Sequence, residues 1–507
     1  MAANMTAIDL GKGMSAADLH EDTPIAGSFG GEDIIVVRHG GKVCAFAGKC
    51  THQGAPLETG LVIDGTVRCP WHHARFSLDD GEAVSAPAFT PLDRFTVVEE
   101  DGVVTVTGKD EQSRPAPSAR SIGKVVIVGG GAAGHACADM LARSGLGGDV
   151  TILSDDADAP YDRTAVSKDY LAGDAERDDT ALPEPGLGRG PAPKVRTGVA
   201  VASIDVEGHA VITADQDRVP YDILVLATGA TPITPDTVKA ADNVFVLRTL
   251  ADADALKAAA KDAKRAIVLG ASFIGLEAAA SLTQAGLAVT MITRDSVPLA
   301  KVAGPEVGKF VQALHEDKGV TFHLDRELTQ FDGHTATLDD GTTVDGDLLV
   351  VGVGVEPRID LAKAAGLTLA GKDAGGGVAV DAQLRTSAAG IYAIGDIASY
   401  PDPRLGHPIR VEHWVHAQRQ GQWLARSLLG GVTGSYGDKP FFWTGQYDTS
   451  LHYVGHVAKP DDRRIEGDVA TGDFAVFLKE NGKDQAVMTC GDRDEIALEK
   501  EAAWDAA

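Results

Sequence analysis

Two short segments near the start of the chain each offer one thiol and one imidazole: Cys50-Thr51-His52 and Cys69-Pro70-Trp71-His72. Two thiolates and two imidazoles can hold zinc, or a [2Fe-2S] cluster in which two His replace two Cys on one iron. Their order separates the two. Zinc fingers usually keep the Cys together and the His together, whereas here each loop carries one of each and can therefore clamp both irons. The two-residue gap after Cys69 selects His72 as the ligand and leaves His73 as its neighbour.

Two glycine-rich segments further on have the spacing that cradles a dinucleotide. In the first, Gly129-Gly130-Gly131-Ala132-Ala133-Gly134 follows an apolar run and opens a helical stretch, with Asp155 about 20 positions on. Gly129 allows the tight turn, Gly131 lets the backbone approach a pyrophosphate, and Gly134 lets helix and strand pack closely. Asp155 is placed to accept hydrogen bonds from ribose hydroxyls. The second, Gly270-Ala271-Ser272-Phe273-Ile274-Gly275, has Ser272 where the middle glycine normally sits, and a small residue there still permits close approach. At the end of the strand that follows, an acid would favour NAD and a cation NADP. Thr293 holds that position, flanked by Arg294 and Asp295, so these residues leave NADH and NADPH both open.

These groups need three kinds of element to position them, and 507 residues give room for about three domains. Short β-type runs at residues 33–37, 42–46, 95–98 and 103–106, separated by glycine turns, indicate a small all-β domain over residues 1–107. Residues 108–121, GKDEQSRPAPSARS, are polar with Pro and Ser and no hydrophobic period, as in a linker. Beyond it, strands at 125–128 and 150–153 flank a helix at 132–143, and the unit recurs at 266–269, 274–285 and 289–292. Such alternation predicts α/β domains with parallel sheets. Residues 122–248 with 376–432 form the first, residues 249–375 the second, and residues 433–507, aromatic-rich and then alternating, a small α+β domain.

The balance of 46 Lys and Arg against 73 Asp and Glu, a net charge of −27, would repel nucleic acid and anionic membrane surfaces, and neither is expected as a partner. No run reaches the roughly 18–20 apolar residues of a membrane span, and no secretory leader is evident, so a cytoplasmic location is expected. The five cysteines are scattered and odd in number, which argues against a disulfide scaffold.

The segments CTHQGAPLETG and CPWHHARFSLDDG resemble the two cluster-binding loops of Rieske ferredoxins, over roughly residues 5–107. High-potential members of that family join the loops by a disulfide, whose positions hold Ala55 and Trp71 here. The resemblance therefore implies a potential toward the lower end of about −150 to +300 mV. Residues 224–229, LVLATG, and 390–396, GIYAIGD, resemble motifs of the two-dinucleotide flavoprotein reductases, over about residues 122–507. That implies FAD in the first site, with Ala132, Ala133, Ala227, Thr228, Gly229 and Gly395 among its contacts and Asp396 on the ribityl chain. PYDRTAVSK, residues 160–168, resembles a segment of the oxygenase-coupled ferredoxin reductases and apoptosis-inducing-factor-like proteins, which implies that Arg163 and Lys168 touch FAD, Lys168 near the flavin. Val201 joins the expected cofactor contacts. The same resemblance makes Phe273 a gate over the flavin, puts Glu277 near the nicotinamide, and makes Gly352 and Gly354 part of the segment that closes that site. Glu412 would reach the nicotinamide beside His413, Trp414 would cover the flavin, and Trp443 and Gln446 would lie next to it. The redox Cys pair of the disulfide-reducing branch is missing, since only Cys137 lies on the first helix, where it reads as a core residue.

The expected function is an NAD(P)H-dependent oxidoreductase of ferredoxin-reductase type. Its FAD takes a hydride and passes single electrons to its own cluster, and thence to an external acceptor such as an oxygenase or another redox protein. A monomer or homodimer is expected. A second reading is an NADH-responsive sensor with slow turnover, and a third is a quinone or ascorbate-radical reductase that uses the Rieske domain only for docking.

Overall fold

The computed structural model describes residues 8–110 and 121–505, so most of the expected linker lies outside the described residues. Two compact units divide the chain. The first contains the described residues up to Asp110 and, unexpectedly, the C-terminal helix Asp494–Asp505; the second runs from Ser121 to Arg493. The stretch expected as one C-terminal domain, residues 433–507, is thus shared between the units.

In the first unit a seven-stranded sheet and a four-stranded sheet carry all the strands. Strand Glu32–His39 shows how the residues dictate the layering, because four consecutive apolar side chains, Ile34 to Val37, are buried. Side chains alternate across a strand. Ile35 and Val37 accordingly join one core with Phe46 and Leu57, while Ile34 and Val36 join another with Leu10 and Phe95. The last long strand, Val103–Lys109, pairs with Arg94–Glu100 through Gly108 and Lys109, two residues beyond the expected boundary at 107. The four-stranded sheet, Leu61–Ile63, Thr66–Arg68, Arg75–Ser77 and Ala83–Ser85, is built of hairpins, one of which carries the segment from Cys69 to Ala74 at its tip.

In the second unit, strand Val125–Val128 is buried on both faces, as a central parallel strand must be, and pairs in register with Val150–Leu153 and Ile223–Leu226. Helix Ala132–Arg143 follows it at the expected residues. A second parallel sheet repeats the plan around Arg265–Leu269, with Ala288–Ile292 and Leu348–Val351 as neighbours and helix Phe273–Gln284 after the turn. The short strand Val244–Phe245 pairs with Leu348–Val351, so this sheet begins a few residues before 249. An antiparallel five-stranded sheet, from Phe441–Gln446 to Lys483–Cys490, completes the unit. Helix Trp414–Leu428 lies directly on Ala132–Arg143. The contact is close enough that a Cβ on Gly421 would stand 2.2 Å from the Ala133 carbonyl oxygen.

Candidate functional site

In the first unit, the thiols of Cys50 and Cys69 are both buried and lie against each other, and Nδ1 of His52 lies 3.1 Å from Nδ1 of His72. The donors thus meet as a sulfur pair and a nitrogen pair, one member of each from either loop. The contact with Cys69, together with burial, pushes the Cys50 thiol up, while the same contact pulls Cys69 down. Each loop is closed on itself, by Cys50 N–H donating to the Ala55 carbonyl and Cys69 N–H to that of Ala74, both at 2.8 Å. Among the described residues, the one set of three or more potential ligand atoms all within 4.8 Å of one another is Glu21, Asp22 and His39. The pairing of two sulfurs and two ring nitrogens in the loops fits a two-iron cluster. Ala55 is buried, Trp71 is exposed, and the cysteines form no disulfide among the described residues.

In the second unit, a cavity of about 530 Å³ runs past the starts of both helices that follow the glycine turns. Neither helix has a side-chain cap, so the backbone N–H groups behind Gly131 and Ser272 are open to an anion. The two turns are built alike. Gly129, at φ +114°, would put a Cβ 2.1 Å from the Ala227 carbonyl oxygen, and Gly134 would put one 2.0 Å from that of Gly129. Gly270 and Gly275 repeat this, with would-be contacts of 2.4 and 2.1 Å to the carbonyl oxygens of Gly352 and Gly270. Gly134→Ala is expected to cost about 1–3 kcal/mol through overpacking against that backbone and to lower the flavin content of the purified protein. A parent flavin-to-protein ratio and melting temperature in this variant would show that the turn relaxes.

Most of the residues expected to bind cofactor reach this cavity. Gly129, Gly131, Ala132, Ala133, Asp155, Arg163 and Lys168 line one part, with Ala227, Thr228 and Gly229 beside them. Ser272, Phe273, Ile274, Glu277, Gly352 and Gly354 line another, and Gly395, Asp396, Glu412, His413, Trp414 and Trp443 complete the wall. Gly134, Gly270 and Gly275 act one layer back, through the packing just described. Val201 does not line it and packs instead on the core near Ile204 and Val211. Thr293 is buried and Arg294 is paired with Glu327, both away from the cavity lining. Gln446 is fully buried, donating to the Thr444 hydroxyl at 2.8 Å rather than facing the cavity.

The charged groups are held in pairs. Glu277, 3% exposed, accepts from the hydroxyls of Ser167 (2.6 Å) and Thr444 (2.7 Å) and lies 3.2 Å from Lys168 Nζ. Lys168 also stands 6.0 Å from the centre of the Trp443 ring. Asp396 accepts from Arg248 at 2.6 Å, and Asp155 from Arg358 at 2.6 Å. Glu412 opens on the cavity but is crowded on its other sides, and this desolvation pushes its carboxyl up against the opposing pull of Arg410. Burial drives His413 down to about 3, so its ring is neutral where it stacks on Phe442, the centroids 4.1 Å apart. Arg248, Arg358, Arg410, Ser167, Thr444 and Phe442 were not singled out from sequence. Ser167 carries a local sign, lying inside the segment 160–168, and Thr444 another, directly after Trp443, whereas Arg248 carries none.

Comparison with known proteins agrees with this construction. Residues 123–421 match the pyridine nucleotide-disulphide oxidoreductase model and residues 12–96 the Rieske [2Fe-2S] domain model. The chain is similar to apoptosis-inducing factor 3 of Mus musculus, 30% identical over 477 residues that cover 90% of this chain and 77% of that protein. It is also similar to the ferredoxin–NAD(+) reductase component of the anthranilate 1,2-dioxygenase system of Burkholderia cepacia, 34% identical over 357 residues that cover 69% of this chain and 86% of that protein. The crystal structure of the covalent putidaredoxin reductase–putidaredoxin complex superposes with a TM-score of 0.71 at 30% identity, over 76% of this chain and 93% of that one. The cofactors these domains imply, FAD, NAD(P)H and a [2Fe-2S] cluster, suit an open dinucleotide cavity and a paired Cys/His donor set. The chain is an oxidoreductase that belongs to the pyridine nucleotide-disulphide oxidoreductase family and carries an N-terminal Rieske domain.

Proposed function

We propose that the protein is a self-contained NAD(P)H:ferredoxin-type reductase whose permanent one-electron partner is its own Rieske domain, and that it delivers electrons to an external acceptor such as an oxygenase. The observation that carries the proposal is the occurrence in one chain of a cavity reached by two uncapped helix starts and of a Cys/His set arranged as a sulfur pair and a nitrogen pair. When bound, the nicotinamide and FAD supply hydride transfer and the cluster supplies one-electron transfer. The protein's part is binding, orientation and charge. The turns at Gly129 and Gly270 seat pyrophosphates, Asp396 and Arg248 grip the FAD chain, and Lys168 with Glu277 sets a fixed charge at the cavity wall. Cys50, His52, Cys69 and His72 hold the cluster. Cys137, fully buried with no partner thiol at short spacing, leaves no role for a dithiol.

The proposed nicotinamide is NADH. Arg294, the cation that would welcome a 2′-phosphate, is already paired with Glu327 at the strand end after Ala288–Ile292, and the added carboxylate opposes a phosphate. Anaerobic NADH is expected to bleach both flavin and cluster absorption, with kcat/KM for NADH at least tenfold above that for NADPH, and Glu327→Gln should narrow that ratio. Bleaching of the flavin alone would refute the internal transfer, and a parent ratio in Glu327→Gln would refute this account of selectivity.

No described helix is long and apolar enough to cross a membrane. The proposal places the protein in the cytoplasm as a monomer or homodimer. The similarity to apoptosis-inducing factor 3 over both domains favours a second reading, a sensor in which bound NADH alters assembly. Turnover separates the two. Rapid NADH-dependent reduction of one-electron acceptors supports the reductase, whereas slow oxidation with a shift in elution volume supports the sensor.

A further inference from the structure

The C-terminal helix Asp494–Asp505 lies beyond the reductase fold in sequence, yet it belongs to the same compact unit as the Cys/His loops. Its inner face is not apolar throughout. Ala497, Leu498 and Ala502 are buried together with the carboxylate residue Glu501, which is 0% exposed. Glu501 pairs with Nδ1 of His73 and, at 2.7 Å, with Arg75. One turn on, Asp505 pairs with the same Arg75 at 2.7 Å and with the buried Arg68 at 2.8 Å. Arg68, His73 and Arg75 bracket the second loop: Arg68 directly precedes Cys69, and His73 directly follows His72.

A buried carboxylate is retained only when it is paired, because desolvation of the charge is otherwise expensive. Here two of the helix's carboxylates, Glu501 and Asp505, pair with cations at the two ends of one loop. His73 carries a further burden, since its backbone has φ +59°, a left-handed conformation that a non-glycine residue adopts only when its surroundings enforce it. At that turn the adjacent rings meet different partners, His72 meeting His52 and His73 meeting Glu501. Glu501 therefore fixes the residue on which the presentation of His72 depends.

We infer that the C-terminal helix is a working part of the cluster domain and that Glu501 is a positioning residue, acting through His73 and Arg75, that sets the geometry and reduction potential of the cluster. The inference rests on Cys50, His52, Cys69 and His72 being the cluster ligands. It has a definite sign. A buried negative charge behind the loop disfavours the electron that the cluster accepts, so it lowers the potential. Asp505, 14% exposed at its side chain, acts in the same direction but more weakly.

The test uses the full-length holoprotein, with iron content, EPR spectrum and redox-titrated midpoint potential as readouts and NADH reduction of the flavin as the internal control. Glu501→Gln should change the g-values and raise the midpoint by the equivalent of about tenfold in the reduced-to-oxidised ratio, about 59 mV for a one-electron centre. Glu501→Asp should move part of the way back, and Asp505→Asn should shift the potential less, in the same direction. Parent g-values and midpoint in both Glu501→Gln and Asp505→Asn, at full iron content, would overturn the inference. Should Glu501→Gln fail to hold iron, Asp505→Asn decides by the same measure. A parent protein with no Rieske-type signal would instead overturn the ligand assignment on which the inference rests.

Discussion

Cys69→Ser is expected to abolish the iron-sulfur cluster while leaving flavin binding and flavin reduction by NADH at parent rates. Cys69 is almost fully buried at the tip of a hairpin whose closing bond, from Cys69 N–H to the Ala74 carbonyl, does not involve the side chain. The serine fits the same backbone, so the loop has no reason to unfold. What is lost is the donor. The thiol of Cys69 is the member of the pair pulled toward ionisation by Cys50, and a serine hydroxyl offers no thiolate at neutral pH. Losing an outer-shell partner already costs a metal site about 10–100-fold in affinity or activity, so losing a ligand should cost more. Iron content should fall to background and reduction of one-electron acceptors by at least about 100-fold. Because every residue lining the dinucleotide cavity lies between Gly129 and His456, flavin content serves as the control within the same molecule. A Cys69→Ser protein that keeps a full Rieske-type spectrum would refute the ligand assignment, and one that keeps parent acceptor turnover without a cluster would refute the electron route.

The contrast between this loop and the C-terminal helix explains what could be read from sequence and what could not. Cys50, His52, Cys69 and His72 were legible because their chemistry is rare and their spacing local. Strand Val125–Val128 and helix Ala132–Arg143 were legible because an uninterrupted apolar run, a glycine turn and a terminating Ser144-Gly145 act within a few residues of one another. The partners of the charged site residues follow no such rule. Asp396 is held by Arg248 and Asp155 by Arg358, and Glu501 by His73, at separations of 148, 203 and 428 residues. Nothing near Arg248 distinguishes it from a surface arginine, and residues 494–505 carry no motif to set them apart within the stretch expected as a C-terminal α+β domain. The same limit applies to Gln446. Its place after Trp443 suggested a flavin contact, but alternation along strand Phe441–Gln446 turns it to the side of Thr444, where it is buried.

Thr444 leads to the other large effect, because its hydroxyl is one of the two, with that of Ser167, that hold Glu277 beside Lys168. Lys168→Met is expected to slow flavin reduction by NADH by about 10²–10³, the loss typical of removing one preorganised charge or donor from the place where negative charge develops. The lysine is the sole cation of this network. Its ammonium lies 3.2 Å from Glu277, donates to the Thr164 carbonyl at 2.9 Å, and stands over Trp443, so three contacts fix its position before any ligand arrives. Such preorganisation is what allows a charge to act without reorganising during the reaction. Stability should respond far less. Glu277 keeps the hydroxyl donors Ser167 and Thr444 when the lysine is gone, so the cost should fall below the roughly 3–5 kcal/mol of stripping one partner from a buried ion pair. Lys168→Arg preserves the charge but, with a planar fork in place of a point charge, should recover only part of the rate. The discriminating measurement is stopped-flow reduction at saturating NADH, in which a charge effect lowers the limiting rate and a binding effect raises only the NADH concentration needed to reach it. A parent limiting rate in Lys168→Met would remove the lysine from the chemistry and leave it a structural partner of Glu277. Glu277→Gln separates these readings, because it removes the counter-charge while its one carbonyl oxygen still accepts from a hydroxyl and its NH2 faces the oxygen of the other. If the positive charge is what accelerates hydride arrival, Glu277→Gln should slow the reaction much less than Lys168→Met, whereas equal losses would mean that the intact ion pair is the functional unit.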